Sequence, residues 1–204
     1  MIDSEHLFWD SCVFIRWLTG VPDEHLGDLD DYIDDAKNRR RTIYYSTLIY
    51  TEIRPRYLTK KYGTIRKFID DLTGTFYPID PNPNILIAAG ELKDARAVNP
   101  GDPKDKNPRE IGTPDAVHLM TATFARDALK IPNLVFHTFD NGKGITWEGR
   151  CIPLLTFERW FPAGKRTKRV EEVCSLPREK PLYPQTNLLR IQPNAQQPDA
   201  NPGE

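Results

Sequence analysis

Residues 7–14 read LFWDSCVF, and one acid, Asp10, stands in the middle of an otherwise apolar stretch. Core-forming segments rarely carry an acid unless it is paired, exposed in a cleft or bound to a metal. Residues 6–9 have the composition of a buried strand that ends at Asp10, and residues 11–18 continue as a helix that stops near Gly20. A strand running straight into a helix is the first half of an α/β unit, and the chain downstream repeats the alternation.

Leu26, Leu29, Ile33 and Ala36 recur at helical spacing and predict a second helix. Residues 42–45 are β-branched and aromatic, which suits a strand. Ser46 or Thr47 is placed to cap a helix carrying Leu48, Ile49, Glu52 and Ile53, from which Pro55 would remove one backbone donor. A helix over 65–72 and a strand over 75–79 follow. Pro81 and Pro83 then open a helix with Ile85, Ala88, Ala89 and Leu92 on one face. After a polar loop over 99–111, Thr113 as N-cap and Pro114 at the first helical position start a helix reaching about Leu129. Residues 134–138 and 151–155 read as strands. Strands alternating with helices predict an α/β fold with a parallel sheet and helices on both faces.

Beyond Trp160 the pattern changes. Lys165, Arg166, Lys168 and Arg169 form a basic run, and six prolines from Pro177 to Pro202 punctuate a polar tail. The expectation is a folded domain over 1–161 and an extension over 162–204, basic first and then Pro-rich. Its end, 193–204, is expected to be disordered, and its middle packs either on the domain or on a partner.

The chain has 204 residues, 39% of them hydrophobic and 28% charged, enough for one domain with a real core and an extension. The formal net charge of −1 supplies no nucleic-acid footprint by itself, although an acidic pocket would offset basic residues around it. No charged-then-apolar leader is present, and no apolar run approaches the ~18 residues of a membrane span, so a non-membrane protein is expected. Cys12, Cys151 and Cys174 are odd in number and irregularly spaced, which fits free thiols in a reducing cytoplasm.

Three further acids share the context of Asp10: Glu52 in STLIYTEI, Asp115 in GTPDAVHLM and Asp140 in VFHTFDNG. Asp10 and Asp140 each follow an apolar strand directly, at the carboxyl edge where open α/β sheets bind ligands. Asp115 is expected at the second position of its helix, and Glu52 one turn into the helix after another strand. Singly, each has an ordinary reading. Asp115 could be a helix-start acid, Asp140 a turn residue, and Glu52 an i,i+4 partner of Arg56. Together they suggest one carboxylate pocket for a hard divalent cation, the chemistry that opens a phosphodiester to attack.

These segments resemble the PIN-domain family, and within it the VapC-type toxins, over residues 6–157. The matching pieces are WDSCVFIRWL, STLIYTEI, TPDAVHLMTATFA and VFHTFDNG, in that order. The resemblance implies a three-layer α/β/α fold and Mg2+- or Mn2+-dependent cleavage of RNA. It makes Asp10, Glu52, Asp115 and Asp140 the metal-site acids, with Ser11 and Thr138 in support. It also implies an antitoxin that covers the cleft, and a homodimer. Two other functions remain open: a non-catalytic interaction module on this scaffold, or a metal-dependent phosphoesterase acting on DNA.

Around these acids, Arg54, Arg56, Lys60 and Lys61, and in the later loop Lys104, Lys106 and Arg109, either flank the pocket and meet substrate phosphates or are a solvated surface. His118, one helical turn from Asp115, reads first as a structural histidine and second as a ligand. His137 reads as packing, and Asp80 as a helix cap.

Overall fold

The computed structural model describes residues 5–58, 62–101, 109–142, 145–146 and 149–184. Strand β1 (Glu5–Trp9) leads into α1 (Ser11–Thr19) and α2 (Leu26–Lys37). Next come β2 (Arg41–Ser46), the one-turn α3 (Ile49–Glu52), a 3-10 turn (Pro55–Tyr57), α4 (Ile65–Leu72), β3 (Phe76–Ile79) and α5 (Pro83–Lys93). The second half holds β4 (Arg109–Glu110), α6 (Thr113–Asp127), β5 (Val135–His137), β6 (Ile145–Thr146), β7 (Gly149–Cys151), a 3-10 segment (Leu154–Trp160), α7 (Lys168–Cys174) and β8 (Arg178–Glu179).

Five parallel strands form the central sheet in the order β3-β2-β1-β5-β8. Because successive side chains point to opposite faces, each strand feeds two cores. Leu7, Trp9, Ile43, Tyr45 and Phe76 join the core with Val13 and Phe14 of α1, Leu29 and Ile33 of α2, and Phe68 of α4. Phe8, Ile79 and Phe136 face the other way, onto Ala88 and Leu92 of α5, Ala116 and Leu119 of α6, and Val170 and Val173 of α7. The molecule is therefore a three-layer α/β/α sandwich. Burial on both faces explains why Leu7, Phe8 and Trp9 read as a continuous apolar run rather than an alternating one. β4, β7 and β6 form a separate small sheet. Among the described residues no helix is long and apolar enough to cross a membrane.

Several local expectations shift. The Thr113 N-cap moves one residue: Gly112 is the N-cap, Thr113 is the first helical residue, and Asp115 is the third. The helix bearing Glu52 stops at Glu52, so Pro55 opens the next 3-10 turn and interrupts nothing. Asn82, not Asp80, caps α5 through Ile85 N (3.1 Å), while Asp80 accepts from Thr47 Oγ1 at 2.8 Å. The strand expected over 151–155 covers only Gly149–Cys151, after which the chain turns into the 3-10 segment.

Of the two expectations for the middle of the extension, packing on the domain or on a partner, the fold shows packing on the domain. α7 and β8 lie beyond residue 161, where α7 packs in the α5/α6 core and β8 completes the central sheet beside β5. Residues after β8 remain attached: Tyr183 donates to Asp35 (2.8 Å), and Tyr32 donates to the Leu182 carbonyl (3.1 Å). Val170, Val173 and Leu176 carry this docking, and their apolar signal is short and flanked by charged residues. The segment 193–204 lies outside the described residues.

Candidate functional site

Asp10 ends β1 and caps α1. Its Oδ1 accepts from Ser11 N at 2.7 Å, and its Oδ2 from Thr138 Oγ1 at 2.8 Å and Cys12 Sγ at 3.1 Å. Thr138, just past β5, in turn accepts from Asp140 N at 3.0 Å, so one hydroxyl ties the first acid to the fourth. Phe139 N donates to Cys12 Sγ at 3.1 Å, and the thiol lies 3.3 Å from Thr138 Oγ1. Burial and then the Asp10 charge push the Cys12 thiol well above its usual range, so it stays protonated as a donor. Ser11 reaches Asp10 through its backbone amide.

Asp140 is held at both oxygens, by Gly142 N (3.1 Å) and Leu154 N (3.2 Å). Gly142 has φ +72°, and a Cβ there would meet Pro153 at 2.5 Å, so only glycine lets this turn sit against the segment that supplies Leu154. Burial raises the Asp140 carboxyl, the two amides offset part of that, and Asp10 adds to it. Glu52 reaches in from α3, where its Oε2 lies 2.5 Å from His118 Nε2. It is not the surface partner of Arg56 that its spacing allowed.

His118, on α6, is fully buried and lies 4.0 Å from Asp10 Oδ1. Its Nδ1 has no hydrogen-bond partner among the described residues. Burial works against its charged form. The Glu52 contact and the Asp10, Glu52 and Asp115 charges outweigh burial and raise its pKa above the ordinary imidazole value.

Asp115 is the centre of the electrostatics. Burial first, then Asp10, Asp140 and Glu52, push its carboxyl up to about 8, with His118 opposing. No described donor bonds to it. Gly112 makes its room, because a Cβ there would stand 2.8 Å from Asp115 Oδ2. Gly112→Ala should therefore displace a flexible carboxylate while leaving the backbone intact. The expected result is a metal affinity about 10–100-fold weaker with a nearly unchanged thermal midpoint, read by calorimetry and melting. A wild-type titration curve would refute it.

The acid cluster also predicts a pH dependence. Asp115 binds its proton more tightly folded than unfolded, so its stabilising contribution is complete below about pH 4 and is lost as pH rises through about 8. His118, also raised, acts with the same sign. In EDTA, Asp115→Asn should raise the thermal midpoint at pH 8 by several degrees and have little effect at pH 4. Equal midpoints at pH 8 would show that Asp115 carries no such strain.

Among the described residues, no three His, Cys, Asp or Glu side chains stand together as a finished metal shell. Asp10, Asp140 and Glu52 are engaged with protein donors instead. The chemistry of the set nevertheless fits a hard divalent cation: carboxylate oxygens, one carboxylate without a described donor, and burial and neighbouring acids that raise the Asp115 carboxyl to about 8.

The basic residues behave differently from one another. Arg109 donates to the Cys151 carbonyl (3.0 Å) and lies over the Trp160 ring (4.6 Å), which makes it a clasp between segments. Arg54 and Arg56 are exposed, Arg56 over Tyr57 at 5.3 Å. Lys60, Lys61, Lys104 and Lys106 lie outside the described residues. His137 is packed in the sheet, edge-on to Tyr32 and 3.4 Å from Glu179. Sequence reasoning missed Cys12 as a partner of Asp10, and it read His118 first as structural without anticipating its contact with Glu52. Their positions two residues after Asp10 and one turn after Asp115 were the available signals.

The fold defines a class: a three-layer α/β protein with a five-stranded parallel sheet, at whose carboxyl edge Asp10 and Asp140 follow β1 and β5. No family model and no curated protein matches the chain. Among solved structures it is similar to a chain in the crystal structure of VapBC2 from Rickettsia felis bound to a DNA fragment from their promoter. The identity is 19%, with 66% of this chain and 99% of that chain covered and a TM-score of 0.39. A likeness of that degree carries no information about activity.

Proposed function

We propose that this protein is a metal-dependent endoribonuclease with Asp10, Glu52, Asp115 and Asp140 as its Mg2+- or Mn2+-binding acids. The observation that carries the reading is the electrostatics of Asp115: burial first, and then the charges of three other acids from three separate segments, Asp10, Asp140 and Glu52, raise its carboxyl to about 8. A fold needs no such arrangement, and it costs stability in the absence of a cation. The resemblance of the four motifs to PIN domains supports RNA as the substrate.

Asp10 and Asp115 would hold the cation, with Glu52 and Asp140 completing the shell. When bound, it would supply charge neutralisation at the phosphate and lower the pKa of an attacking water. The chain's own residues do the rest. Thr138 and Cys12 fix the rotamer of Asp10, and the Gly142 and Leu154 amides fix Asp140. His118 anchors Glu52, whose one-turn helix gives it little support of its own, and the short Nε2···Oε2 contact holds a proton between them. A protein inhibitor that covers the cleft and a homodimer belong to the same reading.

The test is cleavage of a mixed panel of single-stranded RNA and DNA with Mn2+, with Mg2+ and with EDTA. RNA cleavage that needs the metal is the expected result. Cleavage of DNA alone would reassign the substrate. Neither cleavage nor metal binding would favour a non-catalytic interaction module.

A further inference from the structure

Arg16 lies in the last turn of α1, the helix that Asp10 opens. At 1.5 Å per residue its Cα is about 9 Å along the axis from Asp10. Side chains on a helix lean back toward its N-terminus, which here is the carboxyl edge of the sheet. The Arg16 guanidinium follows that direction and rests 3.7 Å from the centre of the Phe139 ring. Phe139 lies between Thr138 and Asp140, so the cation sits one residue from two members of the acid site.

No described carboxylate lies within 4 Å of the Arg16 guanidinium. The charged neighbours in the next segment are already matched to one another. His25 contacts Glu24 at 2.8 Å and Asp28 at 3.2 Å, and its ring stacks on Phe139 at 5.9 Å with the planes 14° apart. His25 holds this pose with a φ of +71°, uncommon for a non-glycine residue. Phe139 is thus braced by one neighbour while it seats the other. Arg16, Phe139 and Asp140 are each only partly buried, and no described acceptor hydrogen-bonds to the Arg16 guanidinium. Arg109, by contrast, spends its donors on backbone carbonyls.

We propose that Arg16, seated on Phe139, is a phosphate-binding subsite that grips a phosphodiester flanking the one opened at the acid cluster, which rests on the nuclease reading above. A planar guanidinium held flat on a ring loses little freedom on binding and presents paired donors to phosphate oxygens. The subsite makes the enzyme select a strand over a dinucleotide. Cleavage should improve when a flanking phosphate is present and able to reach Arg16.

The test compares wild type, Arg16→Gln and Arg16→Lys on a single-stranded RNA and on dinucleotides with and without an added terminal phosphate at either end, with Mn2+ across a salt series. For Arg16→Gln the expected result is a KM about tenfold higher, with the loss falling mainly on KM rather than kcat. The salt slope should flatten by about 0.7, the value of one single-strand phosphate contact. The benefit of the added phosphate should disappear. Arg16→Lys should keep the salt slope and recover part of the KM. Wild-type KM and slope in a folded Arg16→Gln protein would overturn the subsite and leave the nuclease reading standing. No RNA cleavage and no RNA binding by the wild type would overturn both.

Discussion

Asp10→Asn is expected to lower RNA cleavage by about 10²–10⁴-fold, the range for loss of one positioned catalytic group, while the protein stays folded. The two halves of this expectation come from different atoms. Asparagine keeps the oxygen that accepts from Ser11 N, and it remains a good N-cap for α1. The second oxygen becomes an amide that donates. Thr138 Oγ1, which now donates to Asp10, can turn and accept. The Cys12 thiol loses its acceptor at that position but keeps the Thr138 hydroxyl beside it. The expected cost to stability is therefore about 1 kcal/mol. Chemistry fares worse, because the negative charge that would hold the cation is gone. Cleavage rates beside circular dichroism and melting check both halves. A folded Asp10→Asn protein that cleaves at the wild-type rate would falsify the assignment.

The largest loss of stability is expected from Phe14→Ala, at about 3–5 kcal/mol. For a domain of this size that lowers the thermal midpoint by about 2–4 °C per kcal/mol. Phe14 is fully buried, and its ring meets Trp9 at 5.4 Å, Tyr45 at 5.6 Å, Phe76 at 5.7 Å and Phe68 at 6.3 Å. Those partners come from three strands and a helix, so the gap cannot close by moving one element. Leu86 in α5, 49% exposed, is the control: Leu86→Ala should change stability by no more than about 0.5 kcal/mol. Chemical denaturation of both variants checks the contrast. Equal effects would mean that the α1 face is not the cooperative core its packing indicates.

The order of elements was legible because each carries its own local signal. α4 falls where Ile65–Leu72 was expected, capped by Thr64, and α5 buries Ile85, Ala88, Ala89 and Leu92 as their spacing required. The four acids stood out as candidates because a carboxylate in an apolar context is expensive and therefore conspicuous. Short elements did not. β8 has two residues and finds its place only by pairing with β5, a register that no local pattern encodes. α3 has a single turn, so the position of Glu52 depends on what receives its side chain.

The contacts that organise the site are long-range. Thr138 reaches Asp10 across 128 positions, His118 reaches Glu52 across 66, and Tyr183 reaches Asp35 across 148. By itself, the sequence determined the alternation of strands and helices and the burial of β1, and it singled out Asp10, Glu52, Asp115 and Asp140 as candidates, because apolar spacing and the cost of burying charge act within a few residues. Only the tertiary structure decided that Cys12 and Thr138 clasp Asp10, that His118 anchors Glu52, that α7 and β8 complete the domain and that Arg16 rests on Phe139. Those pairings depend on which elements become neighbours in space, and hydrophobic periodicity says which face of an element is buried without naming what will cover it.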